Sequence, residues 1–268
     1  MRVRLIFKLK NRGGVVPFHH QHLFARQIKG LIFKNDKKEF IDFKTYNFSG
    51  IKGQTRVSRK GLHFFSSKVT IVLSSPNKAF IDFIITSIFN LKQLEIGSLM
   101  LVPELVEKEV NFEIESPTKF ICISPIVLTK PEYGDRKGKR FIPPDLDLFS
   151  DLLYDSTLHR MAEETSLAKS KLEAFYKFQI VPDVKYLNRL DQQQKKYARI
   201  YSVYENDVKY EVRGYTFPFE LYAEKEVLEF IYSSGLGYFA HKGFGMLDMA
   251  SGAAMQKTEL YPINLEQV

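Results

Sequence analysis

Three of the chain's six histidines fall within four residues, as His19, His20 and His22. Imidazole titrates near neutrality, so such a cluster suits proton transfer in both directions. His19, His22, Arg26 and Lys29 are spaced by three, four and three, which stacks them along one polar face of a helix. His20 falls on an adjoining face near the helix start, where it can also turn inward as a hydrogen-bonded core residue. A base, an acid and two cations on one face could draw off a hydroxyl proton, protonate a leaving oxygen and steady a developing anion. The other three histidines are scattered. His63 sits among strand aromatics and His159 beside Arg160, where structural or solvated roles are expected.

A second stretch is Gly235-Leu236-Gly237-Tyr238-Phe239-Ala240-His241-Lys242-Gly243-Phe244-Gly245. Two Gly-apolar-Gly triplets are separated by five residues that include His241 and Lys242. A Cβ at any of the four glycines would restrict the turn or hold a ligand off the backbone. Successive N–H groups in such a turn can cradle an anion. The other reading is a glycine-rich hairpin without a ligand. Tyr238 and Phe239 either stack on unpaired bases or close the loop as core residues. Gly235-x-Gly237-x-x-Ala240 also fits a loose dinucleotide fingerprint, but that motif needs a strand before it and a helix after it. Here the helical run Glu224–Tyr232 comes first and a strand-like run, Gly243–Met249, follows.

The elements that must position these residues are legible from periodicity. Arg2–Lys10 alternates, with Val3, Leu5, Phe7 and Leu9 on one face and Arg2, Arg4, Lys8 and Lys10 on the other. That basic face is either solvated or lies near phosphates. Pro17 suits the first turn of a helix predicted over Pro17–Phe33, with Leu23, Phe24, Ile28, Leu31 and Ile32 inward. Strand-like runs follow at Thr45–Ile51 and Gly61–Leu73. A second helix opens at Pro76, and Leu99–Val106 is a further strand. The order is that of a ferredoxin-like βαββαβ unit. Phe120–Thr129 starts the same order again. Next come a helix from Pro144 with Leu148, Leu152 and Leu153 inward, strands in Phe175–Val181, Arg199–Tyr204 and Val208–Leu221, the helix Glu224–Tyr232 and the last strand. The predicted fold is therefore α+β, two tandem ferredoxin-like domains over 1–116 and 117–268.

Composition narrows the function. The net charge is +8 and the pI about 9.3, which favours an acidic partner, nucleic acid ahead of a membrane surface. The basic stretch Lys130–Arg140 could reach RNA or simply be a solvated loop. The single cysteine, Cys122, excludes an intramolecular disulfide and a multi-cysteine zinc site. No metal-ligand cluster, signal segment or membrane span is evident, and a cytoplasmic location is expected.

The order of these features resembles the CRISPR-associated repeat endoribonucleases of the RAMP superfamily. The resemblance is carried by the Gly235–Gly245 loop with both triplets, by the Arg2–Lys10 strand followed by Val16-Pro17-Phe18-His19-His20-Gln21, and by Ser124-Pro125-Ile126 in the strand that opens the second domain. It implies cleavage of precursor CRISPR RNA within its repeats. In that reaction the 2′-hydroxyl attacks the adjacent phosphorus, leaving a 2′,3′-cyclic phosphate and a 5′-hydroxyl, with neither metal nor cofactor. It implies repeat RNA as partner, a CRISPR effector complex as a further one, no membrane, and a monomer or homodimer.

The chain also departs from that family. Many members carry a catalytic histidine just after the first helix, but the matching connection Lys34–Glu39 has none. The family's helix tyrosine maps to Lys29, and its active-site lysine to Lys44. Either the histidine has moved into the helix, to His19, His20 or His22, or the protein binds repeat RNA without cutting it. On the resemblance, Arg26, Gly235, Gly237, His241, Lys242, Gly243 and Gly245 would bind RNA.

Overall fold

The computed structural model describes residues 1–110, 113–130, 139–164, 175–205, 208–250 and 257–263. The chain forms two compact units. The first comprises Met1–Asn111, His241–Gly243 and Gln256–Val268, and the second Phe112–Ala240 and Phe244–Met255.

In the first unit, alternation makes β1 (Arg2–Leu9) a strand with Val3, Leu5, Phe7 and Leu9 buried. After β2 (Val15–Val16) come α1 (Gln21–Lys34), β3 (Asn47–Phe48), β4 (Thr55–Ser58), β5 (Gly61–Phe64), β6 (Lys68–Ser74), α2 (Lys78–Phe89), β7 (Leu94–Ile96) and β8 (Leu99–Glu109). The main sheet runs β8-β1-β6-β3 with antiparallel neighbours, the strand order of a ferredoxin-like unit. Helix α2 begins where the Asn77 side chain accepts the Phe80 N–H at 3.0 Å, and it buries Phe80, Ile81, Ile84, Ile85 and Ile88. Helix α1 buries Phe24, Ile28, Leu31 and Ile32. Together these close one core with the inner face of β1. The strands β2-β5-β4 form a separate small sheet.

In the second unit the same order returns. Here β9 (Thr118–Cys122), β10 (Ile126–Val127), α3 (Asp147–Glu164), β11 (Phe178–Pro182), α4 (Val184–Gln192), β12 (Ala198–Glu205), β13 (Val208–Tyr215), β14 (Phe219–Ala223), α5 (Lys225–Ser234) and β15 (Leu247–Met249) follow one another. The sheet β11-β14-β9-β15 is antiparallel throughout. The hairpin β12–β13 is an insertion that pairs with β10 instead. Both halves are thus ferredoxin-like, as the element order predicted.

Four expectations need correction. The last strand, β16 (Thr258–Leu260), pairs with Glu107–Glu109 of β8 and so extends the first unit's sheet, although a boundary at 116 assigned it to the second. On β1 the basic face is neither simply solvated nor open to phosphates at its start, because Arg2 and Arg4 both pair with Glu109, itself 4% exposed, at 3.0 and 3.3 Å. Leu148 faces outward, and Phe149 takes its place in the core beside Leu153, which is buried as predicted. Helix α4 was not predicted; none of its residues is fully buried, and Tyr186 and Leu187 pack only partly against the core. Most of the basic stretch Lys130–Arg140 lies outside the described residues. Among the described residues no helix is long and apolar enough to cross a membrane.

Candidate active site

The histidine cluster straddles the start of α1 and does not lie within it. The helix begins at Gln21, with His20 at the N-cap position (φ −90°, ψ −3°) and no side-chain cap. Pro17–His20 is a turn, so the stacking predicted from His19 onward does not include His19. His20 is held by backbone on both sides of its ring. Its Nδ1 lies 3.2 Å from the Pro17 carbonyl oxygen, and its Nε2 accepts the Ile51 N–H at 2.9 Å. An acceptor role at Nε2 places the proton on Nδ1, which donates to Pro17.

His20 is 5% exposed, and burial pulls its pKa down to about 4, with the Pro17 bond opposing the fall and repulsion from the nearby imidazoles of His22 and His19 adding to it. The ring is therefore neutral at pH 7, and both nitrogens are bound to backbone. That is the inward-turned, hydrogen-bonded alternative, and it does not suit proton transfer. Gly50 lies against this ring, where a Cβ would stand 3.2 Å from Nε2.

His22 is different. It is half-buried in the first turn of α1, and its Nδ1 donates to the His19 carbonyl at 2.7 Å. That bond fixes the tautomer and leaves Nε2 as the basic nitrogen. Arg26 and Lys29 follow at one and two helical turns, both exposed. Lys29 Nζ lies 5.7 Å from the Phe33 ring centre, a cation–π contact that restrains its stem. Lys44 is exposed in the connection before β3, beside the buried run Thr45–Ser49. The structure thus groups His22, Arg26 and Lys29 on one helix face.

The glycine loop does not present a row of open amides. Gly235, Gly237, Gly243 and Gly245 are all buried. Gly235 N–H donates to Ile231, Leu236 N–H to Gly245, Tyr238 N–H to Val127 and Gly245 N–H to Pro125. The glycines permit close approach of the chain to itself. A Cβ on Gly237 would overlap the Val127 carbonyl oxygen, and one on Gly245 the Leu236 carbonyl oxygen. Both residues have positive φ, +79° and +68°. The amides of Gly235 and Gly245 are therefore donated within the second unit, and the close approach at Gly237 and Gly245 is to the chain's own backbone. Phe239 is buried and Tyr238 half-buried, and both belong to a cluster with Val127, Val203, Val212 and Phe244. The core reading holds for both.

The middle of the loop belongs to the first unit. A Cβ on Gly243 would meet Phe48 at 2.6 Å and Gln21 at 2.9 Å, so this glycine is required where the chain passes the start of α1. The His241 ring lies edge-on to Tyr46 at 6.4 Å, and His241 and Lys242 are half-buried. Burial pushes the Tyr46 hydroxyl well above the usual phenol range, which keeps it protonated.

One residue escaped the sequence reading. Arg160 on α3 donates to the carbonyls of Ser234, Gly235 and Gly237 at 2.7, 2.8 and 3.2 Å, and its guanidinium lies 5.4 Å from the Phe230 ring centre. It collects the carbonyls left open at the end of α5. His159 pairs with Glu163 at 3.2 Å on the surface, and His63 is held by Ser58 Oγ at 2.8 Å and by Gly13 O at 3.2 Å. Cys122 Sγ donates to the Phe217 carbonyl, and burial raises the thiol to about 12. Among the described residues no group of three histidine, cysteine, aspartate or glutamate side chains is placed to hold a metal.

The family model described as CRISPR associated protein Cas6, C-terminal, matches residues 106–249, more than half of the chain. The chain belongs to the Cas6 family. It is 27% identical over 258 residues to the CRISPR-associated endoribonuclease Cas6 1 of Methanocaldococcus jannaschii, with 92% of each chain covered. A solved structure of a Cas6-related protein from Pyrococcus furiosus has the same fold at 22% identity, with a TM-score of 0.76 over 94% of this chain and 99% of that one. Another, titled CRISPR associated protein Cas6, has a TM-score of 0.72 at 19% identity over 94% and 99% of the two chains. In this Cas6-family chain, the double-glycine loop, the first strand with the stretch leading to α1, and Ser124-Pro125-Ile126 are the parts that carry the resemblance in the sequence.

Proposed function

We propose that the protein is a CRISPR endoribonuclease that cuts precursor CRISPR RNA within its repeats by metal-independent attack of a 2′-hydroxyl. The observation that carries this reading is His22, whose Nδ1–H is tied to His19 so that Nε2 is the basic nitrogen on a face shared with Arg26 and Lys29. Likeness along 92% of a curated endoribonuclease supports the substrate class. In this reading His22 Nε2 takes the 2′-OH proton as the 2′ oxygen bonds to phosphorus. The bond from phosphorus to the 5′ oxygen breaks, and a proton is returned to that oxygen. Arg26, Lys29 and Lys44 offset the charge on the phosphorane. His20 is assigned to positioning: it ties the start of α1 to Ile51. The processed guide then passes to a CRISPR effector complex in the cytoplasm.

The test is labelled repeat RNA incubated with the protein in EDTA. Cleavage that survives chelation, stops with a 2′-deoxy residue at the cut site and is lost in His22→Ala is expected. A second reading, a silent repeat-RNA binder, is favoured by one observation: His20 is enclosed, and Lys34–Glu39 supplies no replacement histidine. Tight binding without product in wild type would establish that reading and sink the first.

A further inference from the structure

The chain from Phe43 to Ile81 contains no aspartate or glutamate and seven lysines and arginines. Those seven nearly equal the net charge of +8, and the rest of the chain carries 32 Lys and Arg against 31 Asp and Glu. The basic excess is therefore local. Lys68 has a partner, Glu104 at 2.5 Å, and Lys44 lies beside the site already described. Three of the remainder, Arg56, Arg59 and Lys60, gather on the hairpin β4–β5 and its tip.

That hairpin is built to be exposed. Strand β4 is the free edge of β2-β5-β4, and none of its residues is buried. Its register sets Arg56 opposite His63 and Ser58 opposite Gly61. Alternation then places Arg56, Ser58, His63 and Phe65 on one face. On that face the Arg56 guanidinium lies 5.0 Å from the centre of the Phe65 ring, which is 38% exposed. Val57 on the other face is 72% exposed. The end beside the tip is fixed: Gly61, at φ +135°, passes so close to Val16 that a Cβ would overlap its carbonyl oxygen. Ser58 and Gly13 hold His63 in place. A rigid arm thus carries cations and a flat guanidinium backed by an aromatic ring.

We propose that this hairpin is a second RNA contact, separate from the α1 face, that binds single-stranded RNA by its phosphates at Arg56, Arg59 and Lys60 and by one unpaired base stacked on the Arg56–Phe65 pair. It rests on the RNA reading above and adds a place and a strand state to it. Phosphate contact follows from positive charge without a neighbouring acid. The preference for single strands follows from the stack, since a base sealed in a duplex cannot offer its face to an arginine plane.

The probe is a fluorescein-labelled oligouridylate of about twenty nucleotides, which covers at least one single-strand site, followed by anisotropy across a series of salt concentrations. In the variant R56Q/R59Q/K60Q the Kd should rise about tenfold or more near 0.1 M salt, and the salt slope should become shallower by about 2. Phe65→Ser should weaken binding about fivefold and leave the slope unchanged, a split that loss of charge does not produce. The control K185Q/K195Q/K196Q removes three exposed cations of the second unit and should bind like wild type. In the cleavage assay the hairpin variant should raise KM and keep kcat. An equal loss in the control would reduce the effect to net charge and overturn the proposal. So would unchanged RNA binding in the hairpin variant, including the case where only its binding to phosphatidylserine vesicles falls. Failure of the unmodified chain to bind RNA at all would overturn the RNA reading itself, and this proposal with it.

Discussion

The start of α1 and the glycine loop are the two regions richest in suggestive residues, and they use them in opposite ways. Around α1 the chemistry-bearing groups are side chains. His22, Arg26 and Lys29 lie on an accessible face, and only His20 is committed inward. In the loop the glycines approach the chain itself: the Gly235 and Gly245 amides are donated within the second unit, and Arg160 gathers the Gly235 and Gly237 carbonyls together with that of Ser234. Glycine spacing marks close approach of backbone, and the partner in that approach can be RNA or the protein. Here it is Val127 for Gly237 and Leu236 for Gly245. The same glycine spacing thus serves the chain's own close packing.

Substitutions can break this contrast. The largest expected effect is His22→Ala, which should slow single-turnover cleavage about 10²–10⁴-fold with an unchanged melting curve; a cleaving His22→Ala protein would remove α1 from the functional side. Next is Gly245→Ala, where a Cβ must displace the Leu236 carbonyl at φ +68°. A loss of about 3 kcal/mol or more in urea unfolding is expected, and a stable variant that only loses RNA would restore the phosphate cradle.

The third test is pH. His20 has a folded pKa of about 4, below its ordinary 6.5, so the unfolded chain binds a proton that the folded chain refuses between those values. Stability is fully present above pH 6.5 and is lost as pH falls towards 4, by about 3 kcal/mol. Urea midpoints should show this fall in wild type and not in His20→Gln; a slope shared by both proteins would assign it elsewhere. The smallest effect is Arg160→Ala, expected to cost about 2 kcal/mol through three carbonyls left to water. Calorimetry showing no shift would mean that the loop holds itself.

Much of the architecture was readable beforehand because it is local. Alternation in Arg2–Leu9 and three-four spacing in Phe24–Ile32 and Phe80–Ile88 announce strand and helices, and their order announces two ferredoxin-like units. The candidate face on α1 was readable for the same reason, since Arg26 and Lys29 follow His22 by whole turns. What stayed hidden depends on partners far along the chain. Helical spacing set His19 on the face with His22, but the residues before α1 form a turn, and the Ile51 N–H bonds to His20.

By itself, then, the sequence determined the repeated element order, the inward faces of α1, α2 and the first strand, and the basic character of the chain, because each is written in neighbours within a turn or a pleat. Only the tertiary structure decided which histidine is enclosed, whom the glycines face, and that Glu109 neutralises the start of β1. Those outcomes are set by which distant backbone or charged group satisfies each buried polar atom, and no local spacing encodes that choice.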